Sequence, residues 1–247
     1  MKIRALLLAL LAGLSFTPAQ AEAESTVLVT GANRGIGLEY ARQLAAKGYR
    51  VIGTARSPER AEELAAVADQ VEQLDVADPA SVAALADRLD GVAIDILINN
   101  AGIFDRRDET IDKVDFDVMA QTFAVNTMGP LRVTQALMPN LRAGERKVVI
   151  GMSSGLGSIE KSTGRWYSYR SSKTALNSVN KVLSQELADE GFIFTVLHPG
   201  WVQTDMGGSS ATYTPQDSVA GLVKVIEGLG PEDNGGFYDF QGQPIPW

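Results

Sequence analysis

Tyr169 and Lys173 are the residues whose types and spacing most directly suggest chemistry. They lie four positions apart in segment 168–190, whose apolar spacing predicts a helix, so both side chains project from one helical face. A free tyrosine has a pKa of about 10, and moving it toward neutrality takes roughly 4 kcal/mol of selective stabilisation of the phenolate. A neighbouring ammonium group supplies part of that stabilisation. The pair therefore predicts a proton-transfer site, although a tyrosine and a lysine on a helix surface have the same spacing.

Two further polar positions have the chemistry to act beside this pair. Ser153 and Ser154 follow the apolar run 147–152, and a serine hydroxyl at a strand end either steadies a carbonyl oxygen or caps a turn. Asn126 lies inside segment 111–143, where a helix is predicted and asparagine is an indifferent helix former. A functional or helix-bending water site would explain Asn126, and so would a plain surface position.

The stretch 27–37 predicts a short buried strand, a glycine-rich turn and the first turn of a helix. Gly31, Gly35 and Gly37 let an anion approach the backbone, and the helix start provides free N–H groups and a partial positive charge. The spacing differs from the common G-x-G-x-x-G fingerprint. A pyrophosphate cradle and a tight turn of any α/β protein both fit this stretch.

Two arginines indicate which dinucleotide would bind there. Arg56 follows the second predicted strand, nineteen residues after Gly37, where an acidic residue would suit NAD and an arginine suits the 2′-phosphate of NADP. Arg34 is a second cation inside the glycine turn. Either arginine alone is equally well explained as a solvated charge, but two that converge on one expected phosphate favour NADP.

Residues after the third and fourth predicted strands extend the same site. Asp75 either accepts a hydrogen bond from an adenine amino group or caps the next helix at Asp78-Pro79. Asn99-Asn100-Ala101-Gly102 places small and amide residues where a cofactor packs against backbone, and an ordinary Asn-Gly-type turn is the alternative.

The elements that must position these residues alternate along the chain. Strands are predicted at 27–29, 50–54, 70–74, 94–99, 147–152 and 192–198. Helices are predicted at 35–47, 58–68, 79–90, 111–143, 168–190 and 215–228. Continuous apolar strands in strict β-α alternation indicate an α/β fold, a Rossmann-type doubly wound parallel sheet in a single domain, with ligands at the carboxyl ends of the strands.

The first 21 residues differ in composition from the rest. Lys2 and Arg4 precede an aliphatic core of about ten residues and an Ala19-Gln20-Ala21 sequence, a pattern typical of a secretory signal peptide and too short to span a membrane comfortably. We therefore expect residues 1–21 to be a signal peptide, residues 22–247 to be one domain, and the mature protein to be periplasmic or secreted. An uncleaved N-terminal anchor is the alternative for the segment, and a cytoplasmic protein, where NADPH is in supply, is the alternative location.

Charge and composition limit the classes of partner and of chemistry that the protein could have. The formal charge is −8, and losing the two cations of the first segment makes it −10, which argues against nucleic acid or an anionic membrane surface as a partner. The chain has no cysteine, which excludes disulfides and thiol catalysis. It has one histidine, His198, which we interpret as structural because no second histidine exists to build a metal site.

Taken together, the motifs resemble the short-chain dehydrogenase/reductase family. The match extends over the chain after residue 21, and the C-terminal stretch 236–247 is similar to the C-factor and sniffer-like carbonyl reductase branch. The motifs that carry the resemblance are Thr30-Gly31-x-x-x-Gly35-x-Gly37, Asn99-Asn100-Ala101-Gly102, Asn126, Ser153-Ser154, Tyr169-Arg170-Ser171-Ser172-Lys173 and Pro199-Gly200-Trp201-Val202-Gln203-Thr204.

The resemblance implies a role for each matching residue. Tyr169 would protonate a substrate carbonyl, and Lys173 would lower the pKa of Tyr169 and hold the nicotinamide ribose. Ser154, chosen over Ser153 because the family's serine is usually the second of such a pair, would bind the carbonyl, and Asn126 would hold a water behind Lys173. The implied NADP(H)-binding residues are Gly31, Asn33, Arg34, Gly35, Ile36, Gly37, Arg56, Asp75, Val76, Asn100, Ala101, Gly102, Tyr169, Lys173, Pro199, Gly200, Val202 and Thr204.

The activity implied is reduction of a small ketone, aldehyde or quinone-like carbonyl by NADPH, with Ile103, Trp166, Tyr167, Trp201 and Met206 as candidate apolar lining. The alternative is a dinucleotide-binding signalling protein of the C-factor type, in which binding matters more than turnover. The family's usual pairing through the helices predicted at 111–143 and 168–190 implies a dimer or tetramer.

Export is the prediction that follows from the N-terminal segment. When the gene is expressed in a Gram-negative host, we expect N-terminal sequencing of the mature protein to begin at Glu22, because the Ala19-Gln20-Ala21 sequence suits signal peptidase. A mature protein that begins at Met1 and is found wholly in the cytosol would contradict the prediction.

Overall fold

Seven parallel strands form the centre of the protein in a computed structural model that describes residues 25–107 and 110–247. The predicted signal segment lies outside these described residues. The strands are β1 (Thr26–Val29), β2 (Arg50–Ala55), β3 (Gln70–Gln73), β4 (Ile96–Asn99), β5 (Val148–Met152), β6 (Ile193–His198) and β7 (Phe237–Asp239). Their order in the sheet is β3-β2-β1-β4-β5-β6-β7. The predicted fold class, a doubly wound α/β sheet in one domain, is confirmed.

The central strands are apolar on both faces because helices cover both sides of the sheet, whereas β3 at its edge is polar and only partly buried. In β1, Val27 and Val29 belong to one hydrophobic cluster and Leu28 belongs to the other. In β4, Ile96 and Leu97 divide between the clusters in the same way. Successive side chains of a strand point to opposite faces, so a continuous apolar run is the pattern that a sheet buried on both faces requires.

Eight α-helices flank the sheet in the described part of the chain. They are α1 (Gly35–Ala46), α2 (Glu62–Ala65), α3 (Pro79–Arg88), α4 (Phe116–Phe123), α5 (Gly129–Ala136), α6 (Met138–Ala143), α7 (Tyr167–Glu186) and α8 (Pro215–Gly228). The prediction of one helix over 58–68 is wrong, because that segment is a 3₁₀ turn (Pro58–Arg60) followed by the single turn α2. The helices predicted at 79–90 and 168–190 end earlier, the second followed by a 3₁₀ turn (Ala188–Glu190).

The prediction of one continuous helix over 111–143 is also wrong. A 3₁₀ turn (Ile111–Lys113) precedes α4, a π-helical segment (Ala124–Met128) joins α4 to α5, and α6 follows. Pro130 and Pro139 lie in the first turns of α5 and α6. Proline has no N–H to donate to the preceding turn, so the segment cannot form one regular helix.

The seventh strand was not predicted. β7 has three residues, of which only Phe237 is fully buried, and it pairs with β6 at the edge of the sheet. Its short length and partial exposure leave no run of apolar residues in the sequence, and its position is fixed by pairing with β6.

The chain reverses its direction across the sheet between β1 and β4. After β1 it forms β2 and β3 on one side, and it then crosses to β4 on the other side of β1. A crevice opens at the carboxyl ends of strands at such a switch point. The glycine turn and the Asn99-Asn100-Ala101-Gly102 sequence both begin at this crevice. No helix in the described part of the chain is both long and apolar enough to cross a bilayer.

Asp95, at the opposite edge of the sheet, yields a test of what holds the central strands in register. The residue is 8% exposed, and its carboxylate accepts hydrogen bonds from the backbone N–H groups of Thr26, at 2.8 Å, and Glu145, at 2.7 Å. We predict that Asp95→Ala lowers the free energy of unfolding by about 2–4 kcal/mol, because both N–H groups lose a charged acceptor. Urea denaturation measures this loss.

Asp189→Asn, at an exposed position in the 3₁₀ turn before β6, is the matched control and should change the unfolding free energy by less than about 0.5 kcal/mol. An equally small effect of Asp95→Ala would show that the carboxylate does not stabilise the register of β1 and β4.

Candidate active site

The glycine turn joins β1 to α1 at the crevice and is closely packed. Gly35 has a φ of +55°, a conformation that favours glycine. A Cβ atom on Gly37 would lie 2.4 Å from the carbonyl oxygen of Gly31 and 2.5 Å from Asn100 Nδ2. Position 37 therefore has no room for a methyl group, and the backbone itself forms the surface of the turn.

Asn100 ties this turn to the end of β4. Its Nδ2 donates to the carbonyl oxygens of Thr30, at 2.9 Å, and Gly31, at 3.1 Å. In return, the Thr30 hydroxyl accepts from the backbone N–H groups of Asn100 and Ala101, both at 3.0 Å. These four hydrogen bonds fix the ends of β1 and β4 against each other.

A cavity of about 580 Å³ extends along this crevice. Most of the residues predicted to bind a cofactor line it: Gly31, Asn33, Arg34, Gly35, Ile36, Gly37, Arg56, Asp75, Val76, Asn100, Ala101, Gly102, Tyr169, Lys173, Pro199 and Thr204. Among the described residues no side chain caps the start of α1, and its first turn carries no acidic residue. The backbone N–H groups of that turn, on residues that line the cavity, suit a pyrophosphate.

Several lining residues were missed by the sequence analysis. They include Leu38, Glu39, Arg42, Glu63, Gln121, Asp205 and Gln216. Those on α1 could have been found, because positions 35, 38, 39 and 42 share one helical face with the glycine turn. The others come from distant segments that only the fold brings together.

The arginines of the cavity differ in their partners. Arg34 Nη1 lies 2.8 Å from Asp205 Oδ2, and Arg42 Nη2 lies 2.5 Å from Glu63 Oε2. Arg56 is exposed and also lines the cavity, and among residues 25–107 and 110–247 no carboxylate lies within ion-pair distance of it. Arg56 is therefore the lining arginine best placed to accept an additional anion.

Asp75 lines the cavity, and the alternative that it caps the next helix is wrong. Its Oδ1 accepts from the backbone N–H of Ala77 at 2.9 Å, while the side chain that caps α3 belongs to Asp78, which accepts from Ala80 N at 2.9 Å. The Asp75 carboxylate therefore orders the turn beside the cavity.

Tyr169 and Lys173 lie one turn apart on α7 and are both buried, with exposures of 8% and 5%. Lys173 Nζ donates to the carbonyl oxygen of Met152 at 2.7 Å and lies 5.7 Å from the centre of the Tyr169 ring. The alternative of a surface pair is therefore wrong, and α7 brings both groups to the end of β5.

The protonation states differ from the expectation that Lys173 lowers the pKa of Tyr169. Burial raises the pKa of Tyr169 to about 12, and a hydrogen bond with Ser154 only partly offsets the rise. Burial also lowers the pKa of the Lys173 ammonium to about 8. Loss of hydration disfavours the charged form of each group, so at pH 7 Tyr169 is a neutral phenol and Lys173 is still mainly charged. A neutral phenol is the form that can donate a proton.

The two serines after β5 have different partners. Ser154 shares a hydrogen bond with Tyr169 and also accepts from the backbone N–H of Leu156 at 3.2 Å, so it caps the 3₁₀ turn Gly155–Gly157 as well. Ser153 donates to Asn177 Oδ1 at 2.6 Å. Ser153 therefore has a buried structural bond, and Ser154 is the serine next to the phenol.

Asn126 lies in the π-helical segment and is fully buried, so the surface alternative is wrong. Its side chain accepts from Ile103 N at 2.8 Å and donates to Ile103 O at 2.9 Å and to Ser172 Oγ at 3.1 Å. Pro130 has no N–H to give to the Asn126 carbonyl four residues earlier. The side-chain amide of Asn126 thus anchors the loop after β4. The water that the resemblance assigns to Asn126 stays a prediction, and the backbone carbonyl of Asn126 is the group that would bind it.

The segment 199–204 forms one wall of the cavity through Pro199, Gln203 and Thr204. Gly200 and Val202, which the resemblance placed at the cofactor, do not line the cavity. Val202 is 4% exposed and pairs with Tyr213, and the aromatic ring of Tyr213 lies against Gly200. Gly200 and Val202 therefore support this wall of the cavity and are not part of its surface.

His198 ends β6 just before this wall and fits the structural interpretation. Its Nδ1 accepts from the backbone N–H of Gly200 at 3.4 Å. Burial lowers the pKa of His198 to about 4, so the imidazole is neutral at pH 7.

The aromatic residues that pack around Tyr169 were predicted only in part from the sequence. The Phe104 ring lies 4.3 Å from the ring of Tyr169 and contacts Trp166 edge to face at 5.8 Å. Of the apolar residues suggested by sequence, Ile103 and Met206 line the cavity, whereas Tyr167 and Trp201 are 41% and 52% exposed. The surroundings of the phenol are therefore apolar and aromatic.

Comparisons with known proteins identify the family of this chain. A family model described as "short chain dehydrogenase" matches residues 25–214. The chain is 49% identical over 155 residues to C-signal of Myxococcus xanthus, a match that covers 62% of this chain and 93% of that protein.

Two solved structures match nearly the whole chain. An NADPH-bound carbonyl reductase from chicken fatty liver superposes with a TM-score of 0.83 at 36% identity, covering 91% of this chain and 99% of that one. The carbonyl reductase Sniffer of D. melanogaster superposes with a TM-score of 0.85 at 34% identity, covering 91% and 100%. The chain therefore belongs to the short-chain dehydrogenase/reductase family, in the branch that includes C-factor and sniffer-like proteins, and is an NAD(P)-dependent oxidoreductase.

Proposed function

We propose that this protein is an NADPH-dependent carbonyl reductase. The observation that carries the proposal is the neutral, buried phenol of Tyr169, hydrogen-bonded to Ser154 at the wall of the cavity. The same cavity contains Arg56, which has no ion-pair partner in the described part of the chain. The likeness to carbonyl reductases supports the reaction type.

The chain's own groups divide the work. Ser154 orients the Tyr169 hydroxyl and would share the substrate's carbonyl oxygen with it, so that developing negative charge on that oxygen meets two donors. Tyr169 then gives its proton to the oxygen. The reduced nicotinamide, when bound, supplies the hydride for the carbonyl carbon.

Lys173 is the group that would compensate for loss of this proton. Its ammonium is held by Met152 O at 2.7 Å, and it lies close enough to the Tyr169 ring to favour a phenolate that forms transiently. A Cβ atom on Gly102 would lie 3.3 Å from Asn126 Oδ1 and 3.5 Å from Lys173 Nζ, so these two groups lie next to each other behind Gly102, which lines the cavity. A water bound to the Asn126 carbonyl would resupply the proton from there.

The substrate proposed is a small ketone, aldehyde or quinone-like carbonyl with apolar character. Ile103 and Met206 line the cavity, Phe104 packs against the ring of Tyr169, and Trp166 packs in turn against Phe104. An apolar environment favours a substrate whose only strongly polar group is the carbonyl that Ser154 and Tyr169 bind.

A signalling role that depends on dinucleotide binding is a second candidate, and the 49% identity to C-signal is the observation that favours it. The match covers only 62% of this chain. Turnover of a panel of carbonyl compounds with NADPH separates the two candidates, because the signalling role requires binding alone.

The expected dimer or tetramer stays a prediction. Phe116 on α4 and Val182 on α7 are 78% and 57% exposed, and large apolar side chains at such positions suit contact with a second copy of the chain.

Tyr169→Phe tests the assignment of the proton donor. We predict a loss of kcat of about a hundredfold or more, because the substitution removes the donated proton and little volume. The dissociation constant for NADPH should stay nearly unchanged, which fluorescence titration can measure. Tyr167→Phe, at an exposed tyrosine of the same helix, should keep wild-type turnover. Near wild-type turnover in Tyr169→Phe on any carbonyl substrate would contradict the assignment.

Arg56→Ala tests the cofactor preference. We predict that NADPH affinity falls about tenfold to a hundredfold while NADH affinity changes little, because a charge-assisted hydrogen bond to a 2′-phosphate is lost. Calorimetric titration of both dinucleotides measures the two affinities. Arg60→Ala, at an exposed arginine of the following 3₁₀ turn, is the control and should have little effect. Equal losses for NADPH and NADH would mean that Arg56 supports the fold and does not bind the phosphate.

A further inference from the structure

The ion pair between Arg34 and Asp205 joins two walls of the cofactor cavity. Arg34 lies in the glycine turn and Asp205 directly follows the wall segment 199–204, yet Nη1 and Oδ2 are 2.8 Å apart. Both residues line the cavity. The guanidinium proposed to bind a cofactor phosphate is therefore already bound to a carboxylate of the protein.

The packing of the neighbouring residues places Asp205 at this point. Thr204 Cγ2 would lie 3.2 Å from a Cβ atom on Gly35, so residue 204 rests directly on the glycine turn. Thr204 Oγ1 accepts from the backbone N–H of Gly207 at 3.1 Å, and Arg106 Nη2 donates to the carbonyl oxygen of Met206 at 2.9 Å. These contacts hold the residues on both sides of Asp205 and so position its carboxylate next to Arg34.

A carboxylate in this position opposes an incoming phosphate in two ways. It occupies a guanidinium N–H that the phosphate needs, and its negative charge repels the phosphate. Both side chains are well exposed, at 69% and 79%, so the pair is of the weak surface kind. The competition should therefore change phosphate affinity by about two- to fivefold and not by orders of magnitude.

We propose that Asp205 is a specificity-determining residue that competes with a phosphate group of the dinucleotide for Arg34 and so moderates the preference for NADPH over NADH. The proposal rests on the proposed function for the identity of the cofactor. It also predicts that Arg34 contributes less to NADPH binding than Arg56, since only Arg34 must give up a carboxylate.

The experiment is calorimetric titration of the full chain with NADPH and with NADH. Asp205→Asn keeps the shape of the side chain and removes its charge, and we expect NADPH to bind about two- to fivefold more tightly while NADH affinity changes less than about 1.5-fold. Asp189→Asn, at the amino end of β6 and far from the cavity, removes the same charge and should change neither affinity.

The same substitution made in the Arg34→Gln variant separates direct competition for Arg34 from a general effect of charge on NADPH affinity. In Arg34→Gln, the further change Asp205→Asn should give no gain in NADPH affinity, because the residue competed for is absent. The proposal would be overturned if Asp205→Asn still raised NADPH affinity in the Arg34→Gln background. It would also be overturned if Asp205→Asn left NADPH affinity unchanged, or if the wild-type chain bound neither dinucleotide.

An equal gain for NADPH and NADH that disappears in Arg34→Gln would also overturn the proposal, because Asp205 would then compete with the pyrophosphate common to both dinucleotides and would not affect the preference between them. Failure of the proposed function is distinguishable, because these affinities are measured without substrate. A protein that binds NADPH as described but reduces no carbonyl would leave the role of Asp205 standing.

Discussion

The Asn100 amide, bonded to the carbonyl oxygens of Thr30 and Gly31, is the interaction on which the geometry of the site depends. It joins the ends of the two strands between which the chain reverses across the sheet, and it comes so close to Gly37 that no Cβ atom fits there. The start of α1 is thereby held against the end of β4. One rigid junction thus determines where the anion-binding end of the cavity lies relative to the loop that carries Gly102 and Ile103.

Burial determines the chemistry at the other end of the cavity. The same loss of hydration that raises the pKa of Tyr169 lowers the pKa of Lys173, so each group is closer to its neutral form than it would be in water. This suits the proposed reduction, in which the phenol keeps its proton until negative charge develops on a carbonyl oxygen. The interior that disfavours the phenolate also strengthens its attraction to the nearby ammonium once the proton has moved.

The sequence predicted the central strands well because they are continuous apolar runs, a pattern typical of a sheet covered on both faces, as β1 and β5 show. It predicted Tyr169, Lys173 and the glycine turn because the local spacing of these residues indicates their function. It failed where distant segments decide the outcome. The pairing of β7 with β6, the contact of Asp205 with Arg34 and the place of Phe104 against Tyr169 involve residues that no local pattern connects. Pro130 and Pro139 indicate the break in segment 111–143, but the apolar spacing of that segment is the spacing of one continuous helix.

The central claim is that this site transfers hydride to a carbonyl carbon while Tyr169 supplies the proton. It is tested most directly by incubating the purified full chain with carbonyl compounds and NADPH deuterated at the transferable position, and then analysing the alcohol by mass spectrometry and NMR. We predict one deuterium at the carbinol carbon for each NADPH consumed, and about a hundredfold less alcohol, or still less, from Tyr169→Phe over the same period. Tight NADPH binding with no deuterated alcohol from any ketone or aldehyde, and with no hydroquinone from any quinone, would contradict it.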